Sequence, residues 1–183
     1  MFPYSKVYGD ALSAEECSKL IYMFELYKED QEEIDINNHI KFTQINLNKS
    51  QNWSIVIKRL LEVCGNYLEL YRKEFNIMDF QFPNKYGLEE MRIKRYFPND
   101  HDEFKLHVDV DDSESSKRMI SYLFYLNDVE VGGETIFGFK DEWRIKPKVG
   151  NLLMFPPLWT HPHTGKKPIS GPKYILTTYI NYV

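Results

Sequence analysis

Met119-Ile120-Ser121-Tyr122-Leu123-Phe124-Tyr125-Leu126 is the stretch on which the fold turns. Apart from Ser121, every residue in it is apolar or aromatic. A strand with one wet face alternates polar with apolar residues. A continuous run predicts a strand buried on both faces, at the middle of a sheet covered from two sides. Asn127-Asp128 and Gly132-Gly133 follow it and mark turns.

Short strands extend to either side of this centre. Met91-Arg92-Ile93-Lys94-Arg95-Tyr96 alternates with period two. Gly150-Asn151 leads into Leu152-Leu153-Met154-Phe155, which Pro156-Pro157 must end because proline has no N–H for the ladder. Tyr174 to Val183 is a further strand. Upstream of Pro83 the pattern is helical. Ser13-Ala14-Glu15-Glu16 forms a capping box for a helix reaching about Lys28, with Leu20, Ile21, Met23, Phe24 and Leu26 as its apolar positions. A second helix is expected from Trp53 to about Phe75, with Ile57, Leu60, Leu61, Leu68 and Tyr71 near a common face. The polar segment from about Glu29 to Ser50, with its Asn37-Asn38 pair, is read as a loop or short strands. Helices first and strands afterwards predict an α+β chain. Its sheets would close into a jelly roll (a double-stranded β-helix), with the N-terminal helices packed outside. This gives one domain, with helical support over about 10–80 and the jelly-roll core over about 85–183.

Composition narrows the function. A chain of 183 residues is long enough to bury a sizeable core. A formal net charge of -4 argues against nucleic-acid binding, which usually needs a basic face. No apolar run suits a signal peptide or a bilayer span, so a cytoplasmic protein is expected, in the host cytosol if a phage encodes it. Cys17 and Cys64 each fall within a predicted helix and read as buried free thiols in a reducing compartment.

The chemistry concentrates in His107-Val108-Asp109, followed far downstream by His163 and Lys173. If Leu106–Val110 is a strand, period-two alternation sets His107 and Asp109 on one face, and a later strand can bring a second imidazole. Two histidines and one carboxylate form the facial triad of non-heme Fe(II) sites, with three coordination positions left open. Lys173 adds a cation able to hold the far end of an acidic co-substrate. The acidic run Asp109-Val110-Asp111-Asp112 does not make an EF-hand, because Glu114 stands where the sharp-turn glycine belongs and Ile120 where the bidentate glutamate belongs.

Around that triad the sequence resembles the prolyl-4-hydroxylase-like branch of the Fe(II)/2-oxoglutarate dioxygenases, small phage and bacterial forms especially. LSAEECSKLI (12–21) is similar to the family's opening helix, and RMISYLFYLNDVEVGGETIF (118–137) to its core strand and Gly-Gly-x-Thr turn. KPKVGNLLMFP (146–156) resembles the strand before the distal histidine, and HTGKKPISGPKYILTTYI (163–180) the closing segment. The resemblance implies His107 and Asp109 as proximal iron ligands and His163 as the distal one. The family places a glycine eight and a basic residue ten positions after its distal histidine. Gly171 and Lys173 meet this from His163, whereas His161 would need Ile169 and Gly171 in those places.

By the same resemblance Lys173 pairs with the distal carboxylate of 2-oxoglutarate. Tyr96 hydrogen-bonds the co-substrate, and Thr135 and Thr177 add hydroxyl contacts. Arg118 matches an arginine that helps bind peptide. Tyr179 replaces a more usual tryptophan, and Asn181 stands where peptide-binding members have histidine. The implied activity is hydroxylation with Fe(II), 2-oxoglutarate and O2, and with ascorbate as reductant. A prolyl residue in a peptide or protein is the expected substrate. A free amino acid or other small metabolite is the alternative, and a non-catalytic jelly-roll binding module is the alternative of a different class. No nucleic acid and no membrane are expected as partners. The polar 29–50 segment and the Asp111–Lys117 loop would flank the site as lids.

Overall fold

The computed structural model describes residues 2–36, 40–99, 101–140 and 143–183, so the Asn37-Asn38 pair lies outside the described residues. Along the chain come β1 (Lys6–Tyr8), α1 (Ala14–Leu26), β2 (Glu32–Ile36), β3 (Ile40–Asn46) and α2 (Ser54–Glu74). Then follow β4 (Tyr86–Leu88), β5 (Arg92–Tyr96), β6 (Phe104–His107), β7 (Arg118–Tyr125) and β8 (Thr135–Phe137). The last are β9 (Trp143–Ile145), β10 (Leu152–Phe155), β11 (His163–Gly165) and β12 (Lys173–Tyr182). Among the described residues no helix is long and apolar enough to cross a membrane.

The double-sided apolar run is β7, which pairs antiparallel with β10 on one side and β12 on the other. The sheet runs β1-β10-β7-β12-β5-β3, then curls on through β6-β11-β8-β9, with β2 added to β3 and β4 to β12. This is the jelly roll expected from the sequence. Among the described residues the turn from one half to the other passes through the bridged pair Ile40 with Phe104.

Alternation along β7 divides the interior in two. Ile120, Tyr122 and Phe124 face the helices and pack with Leu20, Phe24, Leu60 and Leu68. Leu123 and Tyr125 face the inside of the roll with Phe42, Tyr96, Phe137 and Phe155. Tyr122 satisfies its buried hydroxyl by donating to the Cys64 carbonyl at 3.1 Å. Both cysteines are buried and free.

The capping box holds: Glu16 N donates to Ser13 Oγ at 3.1 Å, and Ser13 N donates to Glu16 Oε2 at 2.8 Å. In α2 the buried stripe is Leu60, Val63, Cys64, Leu68 and Tyr71. Leu61 was expected on that face and is instead 47% exposed, because one residue's step of roughly 100° carries it off the stripe. The polar 29–50 segment forms strands, one of its two readings, but β3 lies between β5 and β6 as part of the roll, so the roll is not confined to about 85–183. The polar residues of β3 mask an alternation in which Ile40 and Phe42 face inward. The expected strand Leu106–Val110 ends at His107, because Val110 N donates to Pro157 O at 3.1 Å and draws the chain into a bend toward the loop after β10.

Candidate metal centre

His107 closes β6 and His163 opens β11, and the two are direct cross-strand partners. Asp109 enters from the bend two residues on, so the bend does what a continued strand was expected to do. The ligand atoms of His107, Asp109 and His163 all lie within 4.8 Å of one another. Asp109 Oδ1 stands 3.4 Å from His107 Nε2 and 3.8 Å from His163 Nε2.

Both imidazoles are oriented by the backbone. His107 Nδ1 faces the Lys105 carbonyl at 2.7 Å, and His163 Nδ1 faces the His161 carbonyl at 3.0 Å. A carbonyl only accepts, so each Nδ1 carries the proton and each Nε2 presents a lone pair. Rings hold them in place: Phe104 stacks on His107 with centroids 3.5 Å apart, and Phe137 and Phe155 flank His163 at 5.3 and 5.0 Å. His107 Nε2 is buried without a hydrogen-bond partner. An orphaned buried acceptor beside a carboxylate and a second free Nε2 fits a divalent transition metal, and two nitrogens with one oxygen suit Fe(II).

Electrostatics agree with a ligand set ready for a cation. Burial pushes the Asp109 carboxyl up, but His163, His107 and Lys94 outweigh it and hold it at about 2. Burial lowers the His163 imidazole to about 4, against the opposing pull of Asp109. At neutral pH Asp109 is therefore ionised and His163 neutral, as metal ligands must be.

Tyr96 at the end of β5 lies opposite Lys173 at the start of β12. Lys173 is 2% exposed, with its Nζ 5.6 Å from the Tyr96 ring and 5.8 Å from the Tyr125 ring. Burial brings its ammonium down to about 7, with Glu134 opposing. Thr135 sits in the same interior and accepts from the Tyr125 hydroxyl at 2.8 Å. An inner cavity of about 40 Å3 reaches the triad, lined among others by Lys94, Tyr96, Leu123 and Thr177. Lys173 and Thr135 lie beyond its lining.

Outside it opens a cleft of about 300 Å3. Ile34, Ile36, Ile40 and Phe42 of β2 and β3 form one wall, and His107 and Asp109 belong to the other. Arg118 and Tyr179 line this cleft, but the Arg118 fork is engaged. Its Nε and Nη2 donate to the two Glu89 carboxylate oxygens at 2.7 and 2.8 Å, and its Nη1 donates to the Asp109 carbonyl at 2.8 Å. The guanidinium also lies 4.2 Å from the Tyr179 ring centroid, and burial together with the nearby Asp109 charge pushes the Tyr179 hydroxyl up. Asn181 lines neither cavity: its Nδ2 donates to Glu89 Oε2 at 3.4 Å, and its Oδ1 is buried without a partner. His161 uses both ring nitrogens elsewhere, Nε2 at 2.7 Å from the Pro3 carbonyl and Nδ1 at 2.8 Å from Thr160 Oγ1.

Sequence reasoning missed Lys94 and Glu89. Lys94 was within reach, since it shares the inward face of the alternating 91–96 stretch with Tyr96. Glu89 gave no signal, because its role depends on a partner 29 residues away.

Residues 91–181 match the model of the 2OG-Fe(II) oxygenase superfamily, a segment that contains the triad with Lys94, Tyr96, Arg118 and Lys173, while Glu89 and the apolar cleft wall of β2 and β3 lie before it. No curated protein matches the sequence significantly. Among solved structures the chain is similar to the viral collagen prolyl hydroxylase of Paramecium Bursaria Chlorella virus-1, in its 2OG complex. The identity is 24%, with 98% of this chain and 96% of that one covered and a TM-score of 0.69. A Pseudomonas putida prolyl-4-hydroxylase is 18% identical, over 98% of this chain and 92% of that one, with a TM-score of 0.66. A Trichoplax adhaerens prolyl hydroxylase, in complex with a hypoxia inducible factor peptide fragment, is also 18% identical. It covers 97% of this chain and 83% of that one, with a TM-score of 0.71.

Proposed function

We propose that this chain, which carries a 2OG-Fe(II) oxygenase domain over residues 91–181 on a fold shared with prolyl hydroxylases, is an oxygenase of the prolyl-4-hydroxylase-like type that hydroxylates a prolyl residue in a peptide or protein. The observation that carries the reading is the triad at the floor of an open cleft, with the lone pair of His107 Nε2 left without a partner. His107, Asp109 and His163 would hold Fe(II). Bound there beside 2-oxoglutarate, Fe(II) supplies activation of O2, with decarboxylation of the co-substrate to succinate and CO2 and insertion of one oxygen atom into a C–H bond.

The chain's own residues do the positioning. Lys173 receives the distal carboxylate of 2-oxoglutarate at the closed end of the roll, where low polarity strengthens a charge-assisted bond. Tyr96, Thr135 and Thr177 orient the co-substrate through their hydroxyls. Arg118, locked to Glu89, fixes the Asp109 backbone. Arg118 and Tyr179 shape the end at which substrate enters, while Asn181 stands outside it against Glu89. The apolar wall of Ile34, Ile36, Ile40 and Phe42 excludes water from the reacting C–H. A peptide substrate is supported by the fold shared with the Trichoplax enzyme, which was solved with a peptide fragment. A reducing compartment such as the cytosol, with ascorbate as reductant, suits the two free thiols.

A free amino acid is the second reading, favoured by the modest cleft of about 300 Å3, at the small end of ligand pockets. Incubation of protein, Fe(II), ascorbate and 2-oxoglutarate with proline-rich peptides, and separately with free amino acids, separates the two. Succinate release that rises with peptide, and a peptide that gains one oxygen on proline, are the expected results. Turnover stimulated only by free amino acids would overturn the prolyl reading.

A further inference from the structure

The cleft beside the triad is lined by the side chains of Arg92, Lys94 and Arg118. Arg118 is held bidentately by Glu89. Arg92 donates to Glu90 Oε2 at 2.7 Å and to Glu89 Oε1 at 3.3 Å. Lys94 differs from both. Among the described residues no carboxylate oxygen lies within 4.0 Å of its Nζ, and its nearest described partner is the face of Phe42, 5.0 Å from the ring centroid. Alternation along β5 sends it inward between Gln44 of β3 and Ile175 of β12. From there it lines both the cleft and the inner cavity at the triad. The carboxylates that share this space are accounted for: Asp109 belongs to the ligand set, Glu89 to Arg118, and Asp111 lies exposed at the rim.

A half-buried lysine ammonium whose nearest opposing charge, Asp109, is committed to the ligand set is costly to keep, and a cation–π contact with Phe42 offsets only part of that cost. An anion arriving in the cleft relieves the cost. We propose that Lys94 is a specificity-determining residue that receives a carboxylate of the primary substrate, so that the substrate pairs an anionic group with an apolar body lying against Ile34, Ile36, Ile40 and Phe42. In a peptide this is an acidic residue beside the one hydroxylated; in a small molecule it is the molecule's own carboxylate. The inference rests on reading the cleft as the substrate's entrance, and it moves anion recognition from the engaged Arg118 to Lys94.

The test follows Lys94 directly. Protein labelled with 13C at lysine Cε is loaded with Zn(II), which supports no turnover, and saturated with 2-oxoglutarate. The lysine resonance missing from a Lys94→Met sample, or from Lys94→Gln if the first folds poorly, identifies Lys94. Acetate is then titrated at constant ionic strength, with acetamide as the uncharged control. The expected result is a saturable shift of the Lys94 resonance with acetate, at least five times that with acetamide, while the surface lysines stay in place. An unmoved Lys94 resonance overturns the proposal. So does a shift seen only when 2-oxoglutarate is left out, since the co-substrate's own carboxylate would then be what Lys94 holds. Proline peptides that gain no oxygen would sink the prolyl reading alone, because acetate contains no proline.

Discussion

Replacing Lys173 with methionine should have two effects of opposite sign, and both follow from its burial. An ammonium at about 7 in place of 10.5 costs the folded protein on the order of 5 kcal/mol at low pH, taking about 1.36 kcal/mol per tenfold change in proton affinity. Methionine keeps the length of the stem and removes the charge. Exchanging buried charge for matched apolar volume typically returns about 1–4 kcal/mol, so the variant's melting temperature should rise by about 2 °C or more. The sign with pH is fixed. Between pH 7 and 10.5 the unfolded chain holds a proton that the folded Lys173 has released, so parent stability climbs with pH across that window. The advantage of the variant should be largest below pH 7 and close toward pH 10.5. Co-substrate binding moves the other way. Truncating one partner of a buried charge pair loses about 2–5 kcal/mol, which predicts at least a tenfold weaker 2-oxoglutarate affinity with metal affinity barely changed. Calorimetric titration of the metal-loaded protein and thermal melts from pH 6 to 10 measure both. A variant that binds 2-oxoglutarate like the parent, or one that is less stable by an amount independent of pH, would refute the reasoning.

The other predictions concern the triad and its support. Alanine at His107, Asp109 or His163 should abolish metal binding by calorimetry while leaving the fold, and His161→Ala should keep it. Full binding in His163→Ala with loss in His161→Ala would reverse the ligand assignment. In the metal-free protein the His163 imidazole should titrate by NMR near 4. The unfolded chain takes up that proton first, so this group's contribution makes the fold less stable as pH falls from 6.5 to 4. A midpoint near 6.5 would mean that the interior around His163 is wet. Arg118→Ala removes both the partner of Glu89 and the donor to the Asp109 carbonyl. It should cost about 3–5 kcal/mol in denaturant unfolding and weaken metal binding, although Arg118 touches no ligand atom; an unchanged metal affinity would show that Asp109 needs no such support.

The parts of the fold that sequence revealed were those in which one residue's environment repeats along the chain. The apolar run 119–126 is legible because both faces of β7 are covered, and Ser13 to Glu16 is legible because a capping box is complete within four residues. The triad was legible through chemistry, since His107 and Asp109 are two residues apart and His163 keeps a fixed distance to Lys173. What stayed hidden depends on partners distant in sequence. β3 could be read equally as loop or strand, because only its position between β5 and β6 buries Phe42 and Ile45. The bend that delivers Asp109 is set by Pro157, about fifty residues away. Arg118 reads as a peptide-binding arginine until Glu89 is found across from it, and the place of Lys94 in the site emerges only when β12 and β3 flank it.

The face-to-face stack of Phe104 on His107, with rings 1° from parallel, has a magnetic consequence. The imidazole lies in the shielding cone of the phenyl ring, so its carbon-bound protons should resonate upfield of those of the other histidines. Orientation of the proximal ligand is thereby written into a spectrum. In a Phe104→Leu variant those lines should move back downfield, reporting a loosened ligand in metal-free protein before any assay of turnover is run.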